Sequence, residues 1–302
     1  MSHRSLPTVE HREGSFFGYG QISLFYQAWV STAATPRAML VNLHGLGDHS
    51  GLYPALTEYF PARGIPVYAF DMRGNGRSPG QRAYLSGWHE YRGDLHAFLA
   101  RVREWEPDLP LFVLGNSLGG LVVLEYALHY PEGMDGVIAA APALGDVGVP
   151  PLLMALGRVM SRIWPRFSLE VGMDLSGLAR DPNVVEALVT DPLFHRRGTA
   201  RLATEVTSAI ARVQSQAAGL SVPLLILHGS EDRMVPPGGS RRFFSRLRLA
   251  DRQFLEYPGA YHALFADLDY EKVLGDLERW MEGHLEAQSR RIPHPERSEG
   301  MR

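Results

Sequence analysis

The feature that most constrains the fold is the pentapeptide Gly-Asn-Ser-Leu-Gly at residues 115–119, because it stands between a strand pattern and a helix pattern. Residues 111–114 are all apolar and predict a buried strand, and residues 121–127 predict a helix. In that setting Gly-x-Ser-x-Gly indicates a nucleophile elbow, a sharp turn that lifts a serine hydroxyl above the sheet edge. The glycines leave room for the turn. The pattern therefore predicts Ser117 as a nucleophile; the alternative is a glycine-rich loop with an incidental serine.

Two later loops carry the partners that such a serine needs. A serine attacks only when a base takes its proton, and in this setting the chain order is Ser, then Asp or Glu, then His. Apolar strand patterns at 223–227 and 253–257 are followed by Asp232 and His262. In a parallel sheet these loops open at the same edge as the elbow. Glu231 is the competing carboxylate, and Asp232 is favoured by its strand-Gly-x-x-Asp pattern and by the resemblance described below.

An oxyanion hole is expected from two backbone N–H groups. One is that of Leu118, directly after the serine, and the other comes from the loop after the third strand. The apolar residues 39–43 predict that strand, and His-Gly-Leu-Gly follows at 44–47. Because glycine lets the backbone approach a ligand closely, Leu46 is the candidate for the second donor.

The same loop also has a competing interpretation. Glycines at 45, 47 and 51, with Asp71 ending the next strand pattern, resemble a dinucleotide-binding fingerprint. The third glycine falls one position late. This interpretation also leaves Ser117, Asp232 and His262 without a role, so it is disfavoured.

Over residues 14–285 the chain resembles the α/β-hydrolase family, and within it the monoacylglycerol lipase and lysophospholipase branch. The resemblance rests on the elbow and on four further motifs: His-Gly-Leu-Gly-Asp-His-Ser-Gly at 44–51, Asp-Met-Arg-Gly-Asn-Gly-Arg-Ser at 71–78, Thr-Asp-Pro-Leu at 190–193 and Gly-Ala-Tyr-His at 259–262. Several positions depart from the branch. Asn116 replaces its usual histidine, Leu46 and Leu118 replace its common alanine and methionine, and Leu188 replaces a tyrosine of the mammalian type.

The resemblance implies a serine ester hydrolase that cleaves a single-chain acylglycerol through an acyl-enzyme intermediate and needs no cofactor. The alternatives are a lysophospholipase or broad carboxylesterase with the same triad, a non-ester hydrolase or perhydrolase, and a non-catalytic ligand-binding member of the fold. The candidate substrate contacts are His44, Asn116, Leu153, Ile163 and Leu188. For His44, support of its own loop is the favoured alternative.

Strand and helix patterns alternate along the chain, which predicts an α/β fold with helices on both faces of a mostly parallel sheet. An antiparallel hairpin at residues 16–29 precedes six parallel strands ending near residues 43, 70, 114, 140, 227 and 257. The long interval before the fifth of these predicts an inserted helical cap. The expected segments are an N-terminal extension (1–13), a hydrolase core (14–142 and 218–286), the cap (143–217) and a disordered tail (287–302).

The first part of the cap, residues 149–164, is unusually apolar for a segment outside the sheet. One interpretation is a helix packed on the cap's own core. The other is a mobile lid that lines an acyl channel and contacts membranes or micelles. Arg158 and Arg162 lie one helical turn apart and could meet phosphate head groups.

Composition limits the remaining functions. A net charge of −3 disfavours a nucleic-acid partner, and the absence of cysteine excludes disulfides and thiol chemistry. His89 and His96 lack a third ligand, so no metal site is expected. The chain has no run of 18 apolar residues and begins without the apolar stretch of a secretory signal. We therefore expect a cytoplasmic enzyme, with peripheral membrane contact as an open possibility.

Overall fold

The computed structural model describes residues 9–145, 151–170 and 174–291, and within these ranges all side chains except those of residues 151–154 and 291. The strands of this part are β1 (Val9–Phe17), β2 (Ser23–Ser31), β3 (Met39–Leu43), β4 (Val67–Phe70), β5 (Leu111–Asn116), β6 (Gly136–Ala140), β7 (Ser168–Glu170), β8 (Arg197–Thr199), β9 (Leu224–Gly229) and β10 (Arg252–Tyr257). Its helices are α1 (Pro54–Tyr59), α2 (His89–Trp105), α3 (Leu118–His129), α4 (Pro151–Ile163), α5 (Pro182–Thr190), α6 (Ala200–Gln216), α7 (Gly238–Arg246) and α8 (Tyr270–Arg291).

The main sheet of the described chain has eight strands in the order β1-β2-β4-β3-β5-β6-β9-β10. The pairs β1–β2 and β2–β4 are antiparallel, and all the others are parallel. The predicted α/β-hydrolase architecture, with a hairpin followed by six parallel strands, is therefore confirmed. In this arrangement the loops after β3, β5, β9 and β10 leave the same edge of the sheet, which brings the predicted site residues together.

The central strands are apolar on both faces because both faces are covered. In β3, Met39 and Val41 pack into one core while Leu40 packs into the other. The first core lies against α2, α3, α6 and α7, and the second lies against α1 and α8. This two-residue alternation, with apolar residues on each side, is what a parallel strand buried on both faces requires.

The N-terminal strand begins earlier than the sequence predicted. β1 starts at Val9 and pairs with β2 from Val9↔Ser31 to Phe17↔Ser23, so residues 9–13 belong to the sheet and not to an extension. Most of its side chains are exposed. An edge strand is held on one side by backbone hydrogen bonds, so it needs little apolar alternation, and the pattern was missed for that reason.

The interval between β6 and β9 contains α4, α5, α6 and a small antiparallel sheet of β7 and β8, all outside the main sheet. Its last helix does not stand apart from the core. Leu202, Ala209 and Val213 of α6 are buried in the first core together with residues of α3. α4 lies on α6, where Ser161 Oγ is 3.0 Å from Thr204 Oγ1. The cap is therefore anchored through α6, while α4 forms an outer layer.

The C-terminal helix extends beyond the expected boundary of the tail. α8 continues to Arg291, so residues 287–291 are helical and not part of a disordered segment. Leu285 packs against the second core, and the Gln288 amide donates to Asp135. These two contacts from one face of the helix stabilise its polar end. The rest of the expected tail, residues 292–302, lies outside the described residues.

Candidate active site

Ser117 sits at the turn between β5 and α3 with φ 54° and ψ −114°, in a backbone region that few non-glycine residues adopt. The turn is so tight that a Cβ atom on Gly115 would lie 2.3 Å from the Gly119 carbonyl oxygen. A Cβ atom on Gly119 would lie 2.3 Å from the carbonyl oxygen of Leu43. Both positions therefore need glycine, and the elbow predicted from the pentapeptide is present.

Backbone hydrogen bonds hold the strained serine in place. The Ser117 N–H donates to Ala140 O at 2.9 Å, and the Ala143 N–H donates to Ser117 O at 3.0 Å. Leu118 is the first residue of α3, so its N–H has no partner within the helix and lies at the positive end of the helix dipole. This amide is suited to receiving a negatively charged oxygen.

His262 and Asp232 form a buried hydrogen-bonded pair, with 2.7 Å between Nδ1 and Oδ2. Because an ionised carboxylate only accepts, Nδ1 carries the proton, and the lone pair of His262 lies on Nε2. Glu231, the competing carboxylate, has an exposed side chain. The geometry thus favours Asp232 over Glu231 as the partner of the histidine.

Asp232 is held as an anion by a set of donors. Its Oδ1 accepts the backbone N–H groups of Met234 and Val235 at 2.9 and 2.8 Å. Burial opposes ionisation, but hydrogen bonds from His228 and His262 outweigh it and hold the pKa of Asp232 well below its usual range. The carboxylate is therefore ionised at neutral pH.

His228 has a role in this site that the sequence did not reveal. Its Nε2 lies 3.2 Å from Asp232 Oδ2 and 2.8 Å from Val235 O, and its Nδ1 lies 3.0 Å from Ser240 Oγ. Both partners of Nε2 are acceptors, so the proton resides there and Nδ1 accepts from Ser240. The available signal was the spacing, because the histidine ends the strand that precedes Asp232.

His44 supports the loop after β3. This loop comprises residues 45–51 and is called the glycine loop below. The His44 ring is fully buried; Nδ1 donates to Gly45 O at 2.7 Å, and Nε2 accepts the Met72 N–H at 2.9 Å. Burial lowers the pKa of His44, with Asp71 and Asp48 acting in the opposite direction. With both nitrogens occupied by backbone, His44 is a loop support, and its candidacy as a substrate contact is not supported.

Asp71 is occupied in a way that argues against a dinucleotide site. Its Oδ1 accepts both the N–H and the hydroxyl of Ser50, at 2.7 and 2.6 Å. Its Oδ2 accepts the Arg77 N–H at 2.7 Å. The carboxylate ties two loops together and has no free face for a ribose.

A cavity of about 970 Å³ joins the predicted residues. Ser117, His262 and the oxyanion candidates Leu46 and Leu118 all line it, as do Asn116 and Leu188; most of its wall is apolar. One other candidate contact, Ile163, is not brought to it. Ile163 projects into solvent with 76% of its surface exposed, and the side chain of Leu153 lies outside the described residues.

Beside the serine, the cavity has a polar corner of which sequence analysis singled out only Asn116. The Tyr53 hydroxyl lies 3.2 Å from Asp48 Oδ2 and 3.3 Å from the Gly45 N–H, and it interacts with Asn116. Burial raises the pKa of Asp48 and of Tyr53. In the described chain the buried Oδ1 of Asn116 has no hydrogen-bond partner, which leaves an acceptor next to Ser117.

The described residues contain no cluster of three His, Asp or Glu side chains that could hold a metal ion. The arrangement instead has a serine on a strained turn, a histidine oriented by a carboxylate, and two backbone amides at one apolar cavity. These are the parts of acyl-transfer chemistry.

The chain belongs to the α/β-hydrolases of the family described as serine aminopeptidase, S33, whose sequence profile matches residues 34–269. The resemblance to the monoacylglycerol lipase branch is also confirmed. A monoacylglycerol lipase of Mycolicibacterium smegmatis is 34% identical over 90% of this chain and 98% of its own length. The human monoglyceride lipase is 28% identical over 93% and 91%. The crystal structure of the Paleococcus ferrophilus monoacylglycerol lipase superposes with a TM-score of 0.78 at 33% identity, covering 92% of this chain and 99% of that one.

Proposed function

We propose that this protein hydrolyses monoacylglycerols to a fatty acid and glycerol through an acyl-enzyme intermediate, and that it needs no cofactor. The observation that carries the proposal is the hydrogen-bonded pair of His262 and Asp232 at the same apolar cavity as the strained Ser117. The similarity to the monoacylglycerol lipases described above supports the substrate class.

In this mechanism Nε2 of His262 takes the proton of Ser117 as Oγ attacks the ester carbonyl carbon. The N–H groups of Leu46 and Leu118 receive the carbonyl oxygen as it becomes an anion. When the tetrahedral intermediate collapses, the ester C–O bond breaks and glycerol leaves with the proton from His262. Water then attacks the acyl carbonyl carbon while His262 takes a proton from it. The bond between the acyl group and Oγ of Ser117 breaks, His262 returns the proton to Oγ, and the fatty acid departs.

The cavity supports a substrate with one acyl chain. Its volume of about 970 Å³ lies at the upper end of the range of pockets that enclose one small ligand. Its apolar wall includes Leu175, Leu188 and Val206, and the polar corner of Tyr53, Asp48 and Asn116 lies beside Ser117. An acyl chain along the apolar wall places its ester at the serine and its glycerol at the polar corner.

A second candidate is a lysophospholipase, which differs in the head group. Arg233 lines the cavity with an exposed side chain, where its guanidinium donates to the Tyr261 hydroxyl at 2.6 Å. A cation at that position is suited to a phosphate. Asp174 lines the same part of the cavity and offsets that charge, which favours the uncharged glycerol ester.

The test is a panel of a monoacylglycerol, a lysophosphatidylcholine of the same chain length and a p-nitrophenyl ester, each with the native enzyme and Ser117→Ala. We expect the highest kcat/KM on the monoacylglycerol. Loss of the nucleophile is expected to remove about 10⁴-fold or more of the activity. A folded Ser117→Ala variant with native activity would refute the assignment, and a preference for the lysophospholipid would select the second candidate.

We further propose that α4 makes transient contact with membranes or micelles. Leu156, Val159 and Ile163 recur on one face of the helix, and all three are exposed, as is the following Trp164. An exposed apolar face with arginines beside it, here Arg158 and Arg162, is typical of helices that lie in a lipid interface. No helix among the described residues is long and apolar enough to span a bilayer. A location in the cytoplasm stays a prediction.

The membrane contact is tested by co-sedimentation with phosphatidylcholine vesicles. Val159→Ser with Ile163→Ser is expected to reduce the bound fraction and the rate on vesicle-embedded substrate, because the apolar area that enters the interface is lost. The rate on a soluble p-nitrophenyl ester is expected to stay unchanged. The matched control is Phe17→Ser, which removes an exposed apolar side chain from β1. Equal binding by all three proteins would contradict the proposal.

A further inference from the structure

A segment of five cap residues contacts the glycine loop through Asp191, Phe194 and His195. It comprises residues 191–195, between α5 and β8, hereafter the cap strap. The glycine loop carries Leu46 between Gly45 and Gly47, and glycine is the residue with the least intrinsic backbone stiffness. A loop of this composition needs external contacts to keep one amide aimed at a fixed point.

One contact is between the two backbones. The His195 N–H donates to Gly47 O at 3.1 Å. Gly47 has φ +79°, and a Cβ atom there would lie 2.1 Å from the His195 carbonyl oxygen. The strap therefore occupies the space beside Gly47, the residue that follows Leu46. It also donates a hydrogen bond to the Gly47 carbonyl oxygen.

A side-chain pair fixes the first end of the strap. His49 Nε2 lies 3.0 Å from Asp191 Oδ2, and His49 Nδ1 accepts the Gly51 N–H at 3.2 Å, so Nε2 is the donor. Asp191 is itself held by the Leu193 N–H at 2.7 Å. Burial raises its pKa, but these hydrogen bonds outweigh that effect and lower it overall, which keeps the acceptor ionised.

A second side chain fixes the other end. His195 Nε2 lies 2.9 Å from Asn75 Oδ1, and His195 Nδ1 accepts the Arg197 N–H at 3.2 Å. Asn75 is buried and donates through Nδ2 to Arg73 O at 3.1 Å. The strap is thus bound to the glycine loop and to the core loop after β4.

We propose that Asp191 and His195 are positioning residues that set the Leu46 amide of the oxyanion hole by holding the glycine loop. The strap continues from α5, whose Leu188 lines the cavity, so the position of the cap is coupled to the position of the Leu46 amide. The inference rests on the proposed function, because it takes Leu46 as an oxyanion donor. Such donors act at about 2.7–3.1 Å from the oxyanion. A small displacement of the loop therefore weakens the binding of the transition state more than the binding of the ground state.

The test compares Asp191→Ala and His195→Leu with Asp191→Asn, which keeps a carbonyl acceptor for His49. The matched control is Asp181→Ala at the opposite end of α5, where the carboxylate accepts the Asn183 N–H at 2.9 Å. For each folded variant, kcat and KM are measured on a long-chain monoacylglycerol and on p-nitrophenyl acetate. Affinity is measured for an alkyl trifluoromethyl ketone, which adds to a serine hydroxyl as a tetrahedral oxyanion.

We expect Asp191→Ala and His195→Leu to lower kcat about tenfold to a hundredfold on both esters, with KM within about threefold, since a fully lost oxyanion donor costs about 10²–10³ in kcat. Affinity for the ketone is expected to fall in parallel. Asp191→Asn is expected to retain most of the activity, and Asp181→Ala is expected to keep kcat even if its unfolding midpoint drops.

Two results would overturn the inference. A rise in KM on the long-chain ester alone would make Asp191, which lines the cavity, a substrate contact. Native kcat with a lowered unfolding midpoint would make the strap merely structural. If Asp191→Ala does not fold, His195→Leu decides the question. An active Ser117→Ala enzyme would instead refute the proposed function, so the two failures are distinguishable.

Discussion

Asp232 accepts a hydrogen bond of 2.7 Å from Nδ1 of His262, in a buried site where the carboxylate has two backbone donors on its other oxygen. This contact sets the tautomer of the histidine and leaves its Nε2 free to accept a proton. It also stabilises the imidazolium that forms during acyl transfer.

Asp232→Asn is therefore expected to lower kcat by about 10⁴-fold, because the amide can present a donor to Nδ1 and favour the wrong tautomer. The KM for a monoacylglycerol is expected to change little. Steady-state kinetics on the purified variant check this, with Glu231→Gln as the control, since that side chain is exposed. A greater loss in Glu231→Gln than in Asp232→Asn would reverse the choice of carboxylate.

Gly119→Ala is expected to destabilise the fold by several kcal/mol and abolish activity. A Cβ atom there would lie 2.3 Å from Leu43 O, which is backbone and cannot move aside cheaply. The control is Gly283→Ala in α8, where a Cβ atom meets nothing within 4 Å. That change is expected to stabilise the protein by about 0.5–1 kcal/mol. Urea unfolding of the three proteins measures both effects, and equal stabilities would contradict the described elbow geometry.

Leu188→Ala is expected to raise KM for a long-chain monoacylglycerol about tenfold and to leave p-nitrophenyl acetate nearly unchanged. Leu188 lines the cavity, and each methylene contact is worth about 0.8 kcal/mol, so only a long chain has that energy to lose. The matched variant is Val189→Ala on the same helix, because Val189 is exposed and does not line the described cavity. If KM rises equally for both substrates in a folded variant, Leu188 shapes the site and does not bind the acyl chain.

His195 is expected to make folding stability depend on pH. Burial, together with Arg82, His44 and Arg197, lowers the pKa of His195 from 6.5 to about 4. Between these values the unfolded chain binds a proton that the folded protein does not, so this contribution to stability is lost as the pH falls from 6.5 towards 4. His195→Gln removes the titration and can still donate to Asn75.

Thermal unfolding midpoints at about pH 7.5 and about pH 4.5 test this linkage. The drop between the two conditions is expected to be smaller in His195→Gln than in the native protein. His44, whose pKa burial also lowers, contributes equally to both proteins and cancels in the comparison. An identical drop in the two proteins would show that His195 titrates alike in the folded and unfolded states.

Much of the fold could be predicted because its signals are local. The apolar runs of β3, β5 and β9 are short and bounded by turn residues, and the elbow glycines follow from the steric needs of one tight turn. The predicted boundaries failed where local pattern is weak. β1 is a mostly polar edge strand that is held by backbone pairing, and the end of α8 is polar and held by contacts with the core.

Local sequence patterns were sufficient to predict the succession of strands along the chain, the elbow at Ser117 and the loops that carry Asp232 and His262. They could not predict which carboxylate faces the histidine, the contact of His228 with that carboxylate, the burial of His44 or the exposure of Ile163, all of which depend on packing in three dimensions. The same holds for the contact of residues 191–195 with the glycine loop, because Asp191 and His49 are 142 positions apart in the chain. The physical reason is that hydrogen-bond direction and burial depend on groups far apart in the chain, whereas turn sterics and apolar periodicity depend on neighbours.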